Sequence, residues 1–428
     1  MKLNKFFKNL NKNFINTNFN GFEFDSNKIK KNNIFFAIKG SKFDGNKFIN
    51  NAIKNGASVV VSNKFKTGIY KNVFYINVPD PRLTLSNFAT KFYNLKPNNI
   101  VGVTGTNGKS SIADFYYQIL NLNNIKVASI GTLGVNSNKV KVKLDNTTSD
   151  SITINKILLK LKLKKIENVI LEASSHGLIQ KRLHGIKFNT SIFTNLSRDH
   201  LDYHKNYKNY LNSKLILFNE LTKKNGHLIF DKDLKYSSIF QKIAKRKKLN
   251  LFSIGITNSH LKIVSIKILN NYQYIKISYK NKNYEFKTDL IGKIQIKNLL
   301  MAVAAALKCN LKIDKIVKIL KYIKPVDGRL EVIGKTKDNS IVILDYAHTP
   351  EALKTCIENV KEQFSSRKIN IVFGCGGNRD KQKRPIMGKI ANNLCNSIYL
   401  TDDNPRGENP KKIRGHIKKF ISKSKLIE

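Results

Sequence analysis

The sequence predicts an α/β protein with parallel sheets, divided into segments at about residues 1–98, 99–325 and 326–428. Three observations predict it. Short apolar runs alternate with helix-length stretches through the second and third segments, the pattern of strand–helix–strand units. The 428 residues allow two to four domains at roughly 100–200 residues each. Polar clusters follow apolar runs directly: "TGTNGKSS", "EASSH", "TNLSRDH", "DYAHTP", "GCGGNRD" and "DDNPR". Ligands of open α/β sheets bind at the carboxyl ends of strands, so these clusters predict a large active site.

In the first segment, "NIFFAIKG" and "ASVVVSN" read as strands, and "FDGNKFINNAIKNG" as loop and helix; "KPNN" then makes a turn. The second segment opens with the strand "NIVGVT", a glycine-rich turn and the helix "SSIADFYYQILNLN". "NVILEASS" and "TSIFTNLS" are further strands, and "NLLMAVAAALKCN" is a helix near its end. After "IKPVDGRLEVIG" come the strand "SIVILDYAHTP", the helix "EALKTCIENVKEQF", the strand "KINIVFGCGG", the helix "IMGKIANNL" and the strand "SIYLTDDNP".

A hydrophobic share of 41% suffices for real cores. No apolar run reaches the ~18 residues of a membrane span. The opening "MKLNKFFKNLNKNFINTNFN" lacks the apolar stretch and small-residue site of a secretory signal, so a cytoplasmic protein is expected. Cys309, Cys356, Cys375 and Cys395 form no C-x-x-C pair; Cys375 sits in a glycine-rich turn, but no motif offers it a paired histidine. The net charge is +48, from 77 basic and 29 acidic residues. Alone, that suggests a nucleic-acid binder. The lysines, however, are spread along the whole chain, alongside abundant Asn, Ile, Phe and Tyr and no Trp, as AT-rich codon usage produces. No specific nucleic-acid partner is expected, although the charge attracts anionic substrates.

"IVGVTGTNGKSS" is nearly a phosphate-binding loop. The common spacing, G-x-x-x-x-G-K-[ST], would put a glycine at Val103; here Gly105 stands only three residues before Gly108. Both glycines let the backbone curl so that N–H groups face phosphates, and the helix that follows adds its positive end. Lys109 can reach the transferred phosphate and Ser110 offers a hydroxyl to Mg²⁺. Glu172, at the end of "NVIL", is a carboxylate suited to Mg²⁺. "TNLSRDHLDYH" supplies Asn195, Asp199 and His200, the His in an Asp-His pair at a strand end. Lys214, in "NYLNSKLILF", reads from the residues alone as a surface lysine on a helix.

These stretches, with "NTTSD", "EASSHGLIQKRLHG", "DGRLEVI", "DYAHTPEALK", "GCGGNRDKQKRP" and "DDNPR", occur in one order and resemble the Mur ligase family, in particular its diaminopimelate-adding members. The resemblance covers nearly the whole chain. It implies three domains: a UDP-sugar-binding domain (1–98), a central P-loop ATPase-like domain on a parallel sheet (99–325) and a Rossmann-like domain for the amino acid (326–428). It implies an ATP-dependent amide ligase of peptidoglycan synthesis, in the service of cell shape and division. ATP phosphorylates the D-glutamyl carboxylate of UDP-MurNAc-L-Ala-D-Glu, and the amine of meso-diaminopimelate displaces phosphate. A cytoplasmic monomer is expected.

The resemblance also assigns residues. Gly105, Thr106, Asn107, Gly108, Lys109, Ser110, Ser111, Asn195, Asn298, Arg329, Asp345 and His348 match ATP contacts. Phe24, Ser26, Ser41, Lys42, Phe43, Asn146, Thr147, Thr148, Ser174, Gln180 and Arg182 match contacts to the UDP-sugar-peptide. Ser110, Glu172 and His200 match Mg²⁺ ligands, and Lys214 the lysine that CO₂ converts to a carbamate; Lys109, Lys214 and His200 are thus the expected catalytic residues. Arg379, Asp403, Asn404, Pro405 and Arg406 match the amino-acid pocket. Diaminopimelate carries a carboxylate that lysine lacks, and an Arg can hold it through a fork; lysine-adding relatives usually lack an Arg at the place of Arg406.

Two departures stand out. Where the family has G-x-F-N, "GKIQIKN" places Ile294 and Gln295, which predicts looser packing at the adenine. The family's later K-G-H-E motif has no counterpart here, so the third domain is expected to be truncated. Alternatives are a degenerate precursor-binding relative, the lysine-adding ligase, the D-alanyl-D-alanine-adding enzyme and folylpolyglutamate synthase; "NTTSD", "EASSHG" and D-N-P-R speak against the last two. A nucleic-acid-directed NTPase would need an aromatic-basic face or helicase motifs, and the sequence has neither.

Overall fold

The computed structural model describes residues 1–7, 17–40, 43–269 and 272–427. Ser41 and Lys42 lie outside the described residues. The chain groups into two compact units, one of residues 1–97, 148–165 and 176–187, the other of 98–147, 166–175 and 188–428.

The first unit holds β1 (Gly21–Glu23), β2 (Asn33–Phe36), β3 (Ala57–Ser62), β4 (Gly68–Tyr70) and β5 (Val73–Asn77), ordered β1-β2-β3-β5-β4 and parallel except for the β4–β5 hairpin. Successive strand residues face opposite sides. Ile34, Phe36, Val59 and Val61 accordingly pack with Phe88 of helix Pro81–Phe92, while Phe35 and Val60 pack with Ile49 and Ala52 of helix Ile49–Lys54. Both faces are covered, so these strands are apolar throughout. Asp80 caps the Pro81–Phe92 helix through the Leu83 N–H at 3.0 Å, with Pro81 in the first turn.

The second unit is built on an eleven-stranded sheet: β6 (Asn99–Thr104), β7 (Val127–Gly131), β8 (Gly134–Asn136), β9 (Lys141–Val142), β10 (Asn168–Glu172), β11 (Phe188–Phe193), β12 (Thr222–Asp231), β13 (Asn250–Gly255), β14 (Leu261–Leu269), β15 (Tyr272–Tyr279) and β16 (Lys282–Thr288). The order is β16-β15-β14-β13-β12-β11-β6-β10-β7-β8-β9. The expectation of a parallel sheet holds only from β14 to β7; β14–β15–β16 and β7–β8–β9 are antiparallel. The reason lies in the edge sequences. "LKIVSIKIL" and "KNYEFKT" alternate apolar with polar residues, as strands with one wet face do, and Lys280 and Asn281 take the positive φ of a tight hairpin turn. Helices Lys109–Leu122 and Lys293–Leu307 pack on the sheet, and the small side chains of Ala302, Ala304, Ala305 and Ala306 let them lie close in one core.

The third segment adds an antiparallel pair, β17 (Glu331–Lys335) and β18 (Ile341–Leu344), and a parallel trio, β19 (Asn370–Phe373), β20 (Ser397–Leu400) and β21 (Leu426–Ile427). The pairing of β17 with β18 again departs from the all-parallel expectation. Helices Pro350–Gln363 and Lys383–Leu394 fall on the stretches read as helices, the first capped by Thr349, and a further helix, Pro410–Lys418, follows. The polar clusters of the sequence begin where β6, β10, β11, β18, β19 and β20 end. Among the described residues, no helix is long and apolar enough to cross a membrane.

Candidate active site

The turn between β6 and helix Lys109–Leu122 is locked from the side by the end of β11. Thr106 N donates to Asn195 O at 3.0 Å, Asn107 N to Asn195 Oδ1 at 2.9 Å, and Thr194 Oγ1 to Asn107 O at 2.5 Å. Gly105 has φ +154° and a Cβ there would strike Thr194 Oγ1; Gly108 has φ +84° and a Cβ would lie 2.6 Å from Asn298 Oδ1. Both positions need glycine for conformation and for room. Asn298 thus sits against the loop, from helix Lys293–Leu307.

Lys109 Nζ turns back to the carbonyls of Gly105 (2.9 Å) and Thr106 (2.7 Å). Burial lowers its pKa, opposed by the charges of Glu172 and Asp199. Ser110 and Ser111 are buried in the helix's first turn, and Ser110 Oγ donates to Glu172 Oε2 at 3.0 Å. Glu172 reaches this point because β10 pairs with β6 in register, Glu172 beside Val103. It also accepts from Thr132 N at 2.9 Å, and burial raises its pKa.

Lys214 is not the surface lysine that the residues alone suggest. It is 1% exposed, donates to Gly105 O at 2.8 Å and lies 4.2 Å from the Tyr210 ring centroid. Burial, and next the charge of Lys109, hold its pKa well below the usual lysine value. Two lysines therefore converge on one loop carbonyl.

His200 has φ +53° and directs Nε2 to Asp199 Oδ2 at 3.2 Å; His348 Nε2 approaches the same oxygen at 3.6 Å. Burial would raise the Asp199 pKa, but the neighbouring His348 and His200, with the His200 N–H bond, carry it below the carboxylate range. Arg329 stacks on Tyr346 with its Cζ 4.6 Å from the centroid, and Asp345 Oδ2 accepts from Leu330 N at 2.8 Å. Gln295 is buried: its Oε1 accepts from Asn298 Nδ2 and its Nε2 donates to Arg329 O, both at 3.1 Å.

Arg379 and the run Asp403, Asn404 and Arg406 are exposed, and Pro405 is half-buried. The loops after β19 and β20 interlock: Gly377 N donates to Asn404 O at 2.9 Å and Arg406 Nη1 to Gly377 O at 2.9 Å. A Cβ on Gly377 would overlap Pro405 O at 1.8 Å. Cys375 is buried against Met387 with its pKa raised by burial, no nucleophile's setting.

The expected UDP-sugar-peptide contacts fall in two places. In the first unit, Ser26 Oγ accepts from Asn51 Nδ2 at 3.0 Å, Phe24 and Phe43 are exposed, and Arg182 bonds Gln180 Oε1 (2.7 Å) and Thr148 O (2.5 Å). In the second unit, Thr147 Oγ1 lies 3.0 Å from Thr132 Oγ1, Asn146 is exposed, and Ser174 follows β10 half-buried. Sequence reasoning missed Thr194, Tyr210, Arg384 and Glu408, which meet the named residues only through the fold.

The model for the "Mur ligase family, catalytic domain" matches residues 18–93, that for the "Mur ligase middle domain" 103–306, and that for the "Mur ligase, glutamate ligase domain" 328–428. The chain is 38% identical over 425 residues to the UDP-N-acetylmuramoyl-L-alanyl-D-glutamate–2,6-diaminopimelate ligase of Rickettsia rickettsii, covering 98% of this chain and 87% of that protein. The chain belongs to the Mur ligase family. It is an enzyme of that family, an ATP-dependent ligase that forms an amide bond. The namesake enzyme of Rickettsia conorii is likewise 38% identical over 98% of the chain. A solved structure of a ligase with the same name superimposes with TM-score 0.75 at 27% identity, over 100% of this chain and 88% of the other. The fold alone is shared with Thermotoga maritima MurF in complex with ADP, at TM-score 0.65 and 19% identity over 95% of this chain and 87% of that one.

Proposed function

We propose that the enzyme adds meso-2,6-diaminopimelate to UDP-N-acetylmuramoyl-L-alanyl-D-glutamate, with residues 1–98, 99–325 and 326–428 as sugar, ATP and amino-acid domains. The observation that carries this reading is the convergence of half-buried Lys109 and buried Ser110, Glu172 and Lys214 on a glycine loop, in a chain 38% identical to ligases of that name.

The chemistry follows from the residues. A carboxylate resists nucleophiles, so its oxygen first takes the γ-phosphoryl group of ATP, the bond to ADP breaking as the acyl phosphate forms. Loop N–H groups and the Lys109 ammonium neutralise charge as it moves. The amine of diaminopimelate then attacks the acyl carbon, loses a proton and expels phosphate. Arg379 and Arg406 would hold the amino acid's distal carboxylate, with Asp403, Asn404 and Pro405 shaping the pocket. Asn195, Asn298, Arg329, Asp345 and His348 would surround the nucleotide. Phe24, Ser26, Ser41, Lys42, Phe43, Asn146, Thr147, Thr148, Ser174, Gln180 and Arg182 would hold the UDP-sugar-peptide.

Mg²⁺ suits the hard oxygen donors of Ser110 and Glu172, which already lie 3.0 Å apart and buried. His200 and a carbamate on Lys214 would complete the donor set, and the metal would offset phosphate charge. Burial lowers the Lys214 pKa and so favours the uncharged amine, the form that adds CO₂. Four free cysteines fit a reducing cytoplasm, and we take the enzyme to act as a monomer.

The test is phosphate release with ATP, Mg²⁺, bicarbonate and the UDP-dipeptide, with meso-diaminopimelate or L-lysine added in parallel. Release with diaminopimelate alone is expected. Release with lysine instead would overturn the assignment of Arg406, and binding of the precursor without turnover would make the chain a precursor-binding relative.

A further inference from the structure

Beneath the exposed loops after β19 and β20 lies a charge that the reaction does not use. Arg384, in the first turn of helix Lys383–Leu394, is 0% exposed. Its Nη1 and Nη2 grip Glu408 Oε2 and Oε1 at 3.0 Å each. Nη2 also donates to Gly376 O at 3.3 Å, Nη1 lies 3.2 Å from His416 Nδ1, and Nε finds no partner among the described residues. Glu408 in turn accepts from Asn378 N at 2.6 Å.

Burying the Arg384 charge is a poor way to gain stability, since its desolvation offsets much of the attraction to half-buried Glu408. What this pair supplies is direction. Arg384 holds the β19 loop at Gly376, and Glu408, anchored in the β20 loop, holds it again at Asn378. Arg379 is the next residue after Asn378, and Arg406 stands two residues before Glu408. A bidentate guanidinium–carboxylate fork fixes both distance and plane. The spacing between the two exposed arginines is therefore set from below.

We propose that Arg384 and Glu408 are positioning residues that fix the separation of Arg379 and Arg406, and so set selection of an amino acid with a distal carboxylate. This rests on the reading that those two arginines bind the incoming amino acid. Neither Arg384 nor Glu408 need touch the substrate.

The experiment compares Glu408→Gln, Arg384→Lys and Arg384→Met with Arg406→Ala, measuring kcat and KM for meso-diaminopimelate, L-lysine and ATP, with circular dichroism melts to verify folding. Glu408→Gln and Arg384→Met are expected to raise KM for diaminopimelate about tenfold, the size of one lost charge-assisted contact. They should narrow the preference over lysine and leave KM for ATP within about twofold. Arg384→Lys should recover part of the loss. Glu408→Gln, nearly isosteric, decides the matter where Arg384→Met does not fold. Unchanged amino-acid KM and preference in Glu408→Gln, while Arg406→Ala loses both, would leave the pair a structural one and overturn the proposal. If Arg406→Ala itself leaves them unchanged, the reading of the pocket fails, and the proposal with it.

Discussion

At the glycine loop two of the charges proposed to act on phosphate, Lys214 and Glu172, are themselves buried and anchored by main-chain and hydroxyl groups, with Lys109 half-buried beside them. At the loops after β19 and β20 the arrangement is inverted. Arg379 and Arg406 are exposed, and the enclosed charge, Arg384, paired with the half-buried Glu408, lies one layer down. Electrostatic stabilisation of a moving phosphoryl group needs low dielectric and fixed dipoles at the reacting atoms. Recognition of a free, hydrated amino acid needs accessible arms in a fixed geometry. On the proposed reading, one end invests burial in the reactive groups and the other in their support.

The comparison is broken most easily at Lys109. Lys109→Met should lower turnover by about a thousandfold, as loss of a main transition-state charge does, while binding of the UDP-sugar-peptide, followed by calorimetry, persists. A drop of less than about tenfold would mean that Lys109 merely closes the loop through its bonds to the Gly105 and Thr106 carbonyls.

Gly108→Ala sharpens the same end. The residue sits at φ +84°, with Asn298 Oδ1 2.6 Å from the new methyl. Strain of about 1–3 kcal/mol should raise KM for ATP by about tenfold or more. The amino-acid KM should stay unchanged, because the affected loop and the β19–β20 loops are separate constructions. Equal effects on both would join the two ends into one cooperative site.

How much of this was legible in the sequence follows from the same contrast. The glycine loop is contiguous, so its residue types declare its geometry; the strand-end polar clusters are local too, and each begins where a strand ends. Lys214 is the counter-case. Its helix looks half-polar, and only packing beneath Gly105 and Tyr210 buries it, which no local pattern encodes. Gln295 shows what motif comparison leaves out: a departure from G-x-F-N names the position, but that its amide bridges Asn298 to the Arg329 carbonyl appears only in the fold. The antiparallel sheet edges were open to prediction from their alternation of apolar and polar residues. Arg384 and Glu408, 24 residues apart and on different elements, carried no signal at all.

The smallest effect expected concerns acid. Hydrogen bonds from Arg384 hold the Glu408 carboxyl down at about 2, against an ordinary value of 4.5. A carboxylate with a depressed folded pKa contributes stability that is complete above its unfolded pKa and is lost as pH falls through the folded one. Wild type should therefore exceed Glu408→Gln in melting temperature by a constant margin above pH 4.5, and that margin should shrink between 4.5 and about 2. The chain has no Trp, so the melts are best followed by far-ultraviolet circular dichroism. A margin that does not change with pH would mean that the mutant loses packing rather than a charge. The support beneath the amino-acid loops would then be steric, and the inversion between the two ends of the site would reduce to a difference in exposure.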